Sequence, residues 1–177
     1  MPKEFSAQRL DIKAFAEEGA SLSGQALVSA FERLMAETEG RGAGHAVTWA
    51  ARGELRNPRH VHPEIWLHLE AGARLSLTCQ RCLAPVDVDL SVERTFRFVA
   101  TEAMAEAEDD ASEEDLLALS RSFDLPALIE DEILMDLPLV PRHDVCPEPL
   151  PAPVDDLSDE AESSKPNPFA VLGRLKK

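Results

Sequence analysis

Two pairs of candidate ligands share one spacing. Cys79-Gln80-Arg81-Cys82 sets two thiols two residues apart, and His143-Asp144-Val145-Cys146 repeats that interval after 60 intervening residues. Thiolates and imidazoles at this spacing wrap a single ion, so Cys79, Cys82, His143 and Cys146 together form a Cys3His set suited to tetrahedral zinc. Such an ion would tie the end of a strand to the segment that follows a long helix. The 60-residue interval is far longer than that of a compact zinc ribbon, and two other readings stay open. In one, Cys79 and Cys82 are reduced, partly buried residues at a strand-to-turn transition and Cys146 is incidental. In the other they form a dithiol redox pair. A thioredoxin-type pair starts a helix within a βαβ unit, whereas Pro85 and an alternating strand follow Cys82 here.

Other chemistry-bearing residues are more diffuse. His60, His62 and His68 lie close together, but Pro58 and Pro63 point to a loop, and solvent-facing histidines are the simpler reading. Arginines make up 13 of the 18 basic residues. Several fall on or between predicted strands, where a guanidinium can reach phosphate or stack on a base, or else pair with the sheet's own acids. Aromatic residues for base stacking are few, with no Tyr, and Trp49, Trp66, Phe96 and Phe98 are candidates for the core. Glycine-rich phosphate loops, GxSxG elbows and HExxH pairs are all absent from the sequence. No carboxylate pair stands out as catalytic, so an enzymatic reading rests on the thiols alone.

The elements that must position these residues change character along the chain. Ile12, Phe15 and Ala16, then Ala26, Ala30, Phe31 and Leu34 after Ser23 as cap, have helical spacing, which predicts N-terminal helices within 1–40. From 41 to 100 the period becomes two, as in Ile65-Trp66-Leu67-His68-Leu69 and Val86-Asp87-Val88-Asp89-Leu90, which predicts four or five strands. Joints are expected at Asn57-Pro58, Ala71-Gly72 and Leu83-Ala84-Pro85, short enough for antiparallel pairing. Residues 102–115 hold eight acids and no base, so 101–120 reads as a mobile acidic loop. Within 121–146, Asp124 caps a helix with Pro126 in its first turn, and Leu125, Leu128, Ile129, Ile133 and Met135 or Leu137 supply its apolar stripe. A Pro-rich return follows. Residues 147–166 read as a second acidic linker, and 167–177 as a short amphipathic tail with a basic end.

The expected fold is therefore α+β: one domain over 1–177, with an antiparallel sheet or small open barrel, a packed helix, N-terminal helices and acidic mobile segments. A net charge of -15 argues against nucleic acid as a partner, but its distribution is uneven. Residues 41–100 hold eight Arg against six acids and so are net +2, leaving -17 for the rest. Three cysteines fit a reducing compartment, and neither a secretory signal nor a membrane-length apolar run is present, so the cytoplasm is expected.

Three stretches in order resemble the YceD-like family: Cys79-Gln80-Arg81-Cys82-Leu83-Ala84-Pro85; Asp124–Leu134 running into Leu137-Pro138-Leu139-Val140-Pro141-Arg142-His143; and Lys165-Pro166-Asn167-Pro168-Phe169-Ala170-Val171-Leu172. With the strands between them, the resemblance covers most of 70–177. It implies a bacterial, non-catalytic role in the synthesis, processing or stability of large-subunit (23S) ribosomal RNA. Some relatives carry further cysteines after the Pro-x-His stretch, where this chain has only Cys146. The partner expected is large-subunit ribosomal RNA, met by Arg81, Arg94 and Arg97 or by Asn167, Pro168, Phe169 and Arg174 of the tail. The alternative partner is a basic ribosomal protein, held by a zinc-stabilised module through the acidic segments. A dithiol oxidoreductase is the remaining alternative.

Overall fold

The computed structural model describes residues 4–147. Long alternating stretches dominate it. Strands β2 (Ala46–Arg56), β3 (Glu64–Thr78) and β4 (Pro85–Val99) run antiparallel as a meander. Strand β1 (Ser21–Leu27) adds antiparallel to β2, and β5 (Asp115–Ala118) adds parallel to β4. The order β1-β2-β3-β4-β5 leaves the sheet open, so the fold is α+β without barrel closure.

One face of the sheet is the core. Leu67, Leu69 and Leu75 of β3 point the same way and are fully buried, beside Val47 and Ala51 of β2 and Phe96 of β4. Helices α1 (Ile12–Glu17) and α4 (Leu125–Met135) cover this face. Gly53 lets α1 approach, because a β-carbon there would lie 2.7 Å from the Phe15 carbonyl oxygen. Asp11 and Asp124 start these helices by accepting the backbone N–H of Ala14 and Ala127. Helix α2 (Glu32–Glu37) has no cap of its own; Glu130 of α4 accepts the N–H of Arg33 at 2.7 Å and of Leu34 at 3.2 Å instead.

Three expectations are corrected. Ala71-Gly72 is not a joint: Gly72 is paired with Thr48 and Ser91, and β3 passes straight through. The dipeptide lacks the Asn, Asp or Pro that fixes a turn, and the ladders on both sides hold it extended. Residues 21–27 are a strand and not the start of a helix, because pairing with β2 outweighs the helical spacing of Ala26, Ala30 and Phe31. The acidic stretch 101–120 holds helix α3 (Glu102–Asp109) and β5. Thr101 caps α3 by accepting the Met104 N–H at 3.3 Å, and Ala105 is buried against Val99 and Leu116, so a few apolar residues suffice to seat a strongly charged segment.

The elements above lie in one unit, Met1–His143; a second begins at Asp144, and residues 144–147 of it are described. The expected linker and tail, with Asn167, Pro168, Phe169 and Arg174, fall outside the described residues. No helix among the described residues is long and apolar enough to cross a membrane.

Candidate metal centre

Strand β3 ends at Thr78 and β4 starts at Pro85, and the six residues between them form a tight loop. The Leu83 N–H donates to the Cys79 carbonyl and the Cys79 N–H to the Ala84 carbonyl, both at 2.9 Å. Leu83 takes φ of 62°, a left-handed conformation that closes the loop. A second segment, arriving from α4, is pinned beside it: the Gln80 N–H donates to the Pro141 carbonyl at 2.8 Å, and Arg81 Nη2 to the His143 carbonyl at 2.7 Å.

This juxtaposition brings the distant half-sites together. Cys79, Cys82 and His143 each offer a ligand atom, and these atoms all lie within 4.8 Å of one another; Cys146 belongs to the second unit. Cys79 is buried and the other three are half-buried. Ligands at about 2.3 Å around a tetrahedral ion are roughly 3.8 Å apart, so the spread suits one ion. The Cys82 Sγ to His143 Nδ1 distance is 3.4 Å.

Both ligand types are set up chemically. His143 Nε2 lies 2.9 Å from the Pro85 carbonyl oxygen, which only accepts, so Nε2 carries the proton. In the neutral ring Nδ1 then presents a lone pair to the cluster, the arrangement in which a second-sphere carbonyl fixes a ligand's tautomer. Burial pushes the Cys79 thiol up, but the backbone N–H groups of Cys82, His143 and Arg81, together with the Cys82 thiol, pull it down further, to about 5. These N–H groups favour the thiolate, the ligand form, at this loop. The Pro85 carbonyl carries no side-chain signature and was not legible in the sequence. Its partnership with His143 depends on two segments meeting in space.

The other candidate residues are placed elsewhere. Arg94 is 3.2 Å from Glu132 and Arg97 is 3.0 Å from Glu108, so both are engaged by acids. Arg74 likewise faces Asp87 and Asp89, each at 3.6 Å, and Arg56 lies 3.0 Å from Glu54 and over the Trp66 ring. His60 and His62 are exposed outside the strands. His68 sits apart on β3, 2.6 Å from Glu54 and 3.3 Å from Thr95.

An open α+β sheet whose hairpin tip carries a thiol–imidazole cluster, closed by the segment leaving a packed helix, defines the class of domain. The family model described as "Large ribosomal RNA subunit accumulation protein YceD" matches residues 67–176, and the chain belongs to that family. A protein of Haemophilus influenzae named "Large ribosomal RNA subunit accumulation protein YceD" is 36% identical over 104 residues, which are 58% of this chain and 60% of that protein. The match thus spans about 60% of that relative's length. No solved structure matches the chain.

Proposed function

We propose that this protein is a non-catalytic cytoplasmic factor that supports the accumulation of large-subunit (23S) ribosomal RNA, through its synthesis, processing or stability. The observation that carries the reading is the family match over 67–176, which takes in the cluster loop, β4, α4 and the return to His143. In this reading Cys79, Cys82, His143 and Cys146 hold a zinc ion that locks the return segment to the hairpin tip; its role is structural, because the set fills a tetrahedral shell. The exposed Arg81 on the cluster loop, half-exposed Arg94, Arg97, and Asn167, Pro168, Phe169 and Arg174 of the tail are the proposed contacts with RNA or with a basic ribosomal protein.

Depletion of the protein from its own cells tests this. The 23S to 16S ratio is expected to fall and to recover on re-expression of the full chain. An unchanged ratio, with depletion verified, would overturn the reading.

A further inference from the structure

Strand β1 forms one edge of the sheet, and among the described residues nothing pairs with its outer side. The register of β1 on β2 runs from Ser21 opposite Arg52 to Leu27 opposite Ala46. Just beyond its ends, the Gly53 N–H donates to the Ala20 carbonyl and the Val28 N–H to the His45 carbonyl, both at 2.9 Å. Hydrogen-bonded pairs alternate along an antiparallel ladder, so the even residues Leu22, Gly24 and Ala26 spend their backbone groups on β2. Ser21, Ser23, Gln25 and Leu27 therefore turn their N–H and C=O groups outward, and all four are exposed.

Edges in natural sheets are protected by lysine, proline, inward charges or bulges. Ser21-Leu22-Ser23-Gly24-Gln25-Ala26-Leu27 has no proline and no charge, and of the β2 residues behind it, Ala46 to Arg52, the end residue Arg52 alone is charged. We infer that β1 pairs antiparallel with β1 of a second copy of this chain, about a two-fold axis through Gly24, joining the two sheets into one.

The strand is self-complementary in that register. Ser21 falls opposite the second copy's Leu27, and Ser23 opposite its Gln25, so every outward-facing residue meets an outward-facing one. Four such pairs exchanging two bonds each give about eight backbone hydrogen bonds over a strand of about 24 Å. Leu22 meets Ala26 across the axis, and Gly24 meets Gly24 as the close, non-hydrogen-bonded pair. Gly24 leaves room there for Trp49, since a β-carbon at 24 would lie 2.6 Å from Trp49 Cζ2. The two half-buried indoles thus cover the glycine pair at the seam.

The net charge of -15 does not forbid this contact, because Ser21–Leu27 itself carries no acid and the flanking Glu17 and Glu18 lie beyond its paired residues. The row across the open face from the edge reads Ser23, Ala50, Glu70. The two Glu70 carboxylates would be five strand spacings apart, about 24 Å, against a screening length of about 8 Å at physiological salt.

Light scattering of the full chain over a concentration series should show the mass rising towards twice the 19.4 kDa of one chain. Gln25→Pro removes an outward N–H that β2 does not use, and is expected to raise the dissociation constant at least about tenfold with the thermal unfolding of the dissociated chain, at low concentration, unchanged. As a second route, Ser23→Lys with Gln25→Lys places like charges opposite each other and should dissociate the pair, while mixing this variant with one carrying Ser23→Glu and Gln25→Glu should restore it. Amide exchange at Ser21, Ser23, Gln25 and Leu27 should slow as concentration rises. A single-chain mass at every concentration overturns the inference, whether those amides exchange fast or are protected by another segment. A doubled mass that neither set of substitutions changes overturns it too.

Discussion

His143 does two jobs with one ring: Nε2–H holds the Pro85 carbonyl and Nδ1 faces Cys82. Removing the ring should therefore cost more than the roughly 10–100-fold in metal affinity that accompanies loss of an outer partner alone. His143→Ala is expected to release zinc to a chelator at least about 100-fold more readily than wild type in a competition titration. Affinity equal to wild type would take His143 out of the ligand set. A different carboxylate sets a pH signature. Glu132 of α4 is buried, which pushes its carboxyl up, and Arg94 at 3.2 Å opposes that only in part. A carboxyl whose folded-state pKa is raised stabilises the fold below its unfolded value, and this contribution is lost as pH rises through the folded-state pKa. Glu132→Gln, which cannot ionise, should accordingly gain stability relative to wild type between acid and neutral pH, read from urea unfolding at each. A pH-independent difference would show that Arg94 fully compensates the burial.

At the scale of elements, α4 ties the N-terminal half to the sheet. Its apolar stripe buries Leu125, Leu128, Ile129 and Ile133, and Ile129→Ala is expected to cost about 2–5 kcal/mol in chemical denaturation. Glu130 caps α2 from a distance of 97 residues along the chain. Glu130→Ala should cost about 2–3 kcal/mol, more than loss of a local cap, because two backbone donors and Arg33 lose their acceptor together. Much of α4 was legible in the sequence, because Asp124, Pro126 and the apolar spacing agree with one another. Strand β1 was hidden, because Ala26, Ala30, Phe31 and Leu34 imitate a helix while the pairing that overrides them comes from β2. Helix α3 was obscured by its charge; the single buried Ala105 gives little signal beside eight acids. The half-sites were legible as pairs, since ligand spacing is local, whereas their meeting depends on the path from α4 back to the hairpin tip.

For the whole molecule, the cluster is the point where the end of the hairpin and the segment beyond α4 are joined. Metal binding to such a set is coupled to folding of the segments that supply it. Coupling of this kind requires that Cys79, Cys82, His143 and Cys146 close on one ion in the protein itself. Elemental analysis of the full chain purified without chelator, beside Cys79→Ser and Cys146→Ser, decides it. Stoichiometric zinc is expected in wild type, with its loss in both variants; a folded, metal-free wild-type protein would rule out a zinc clasp.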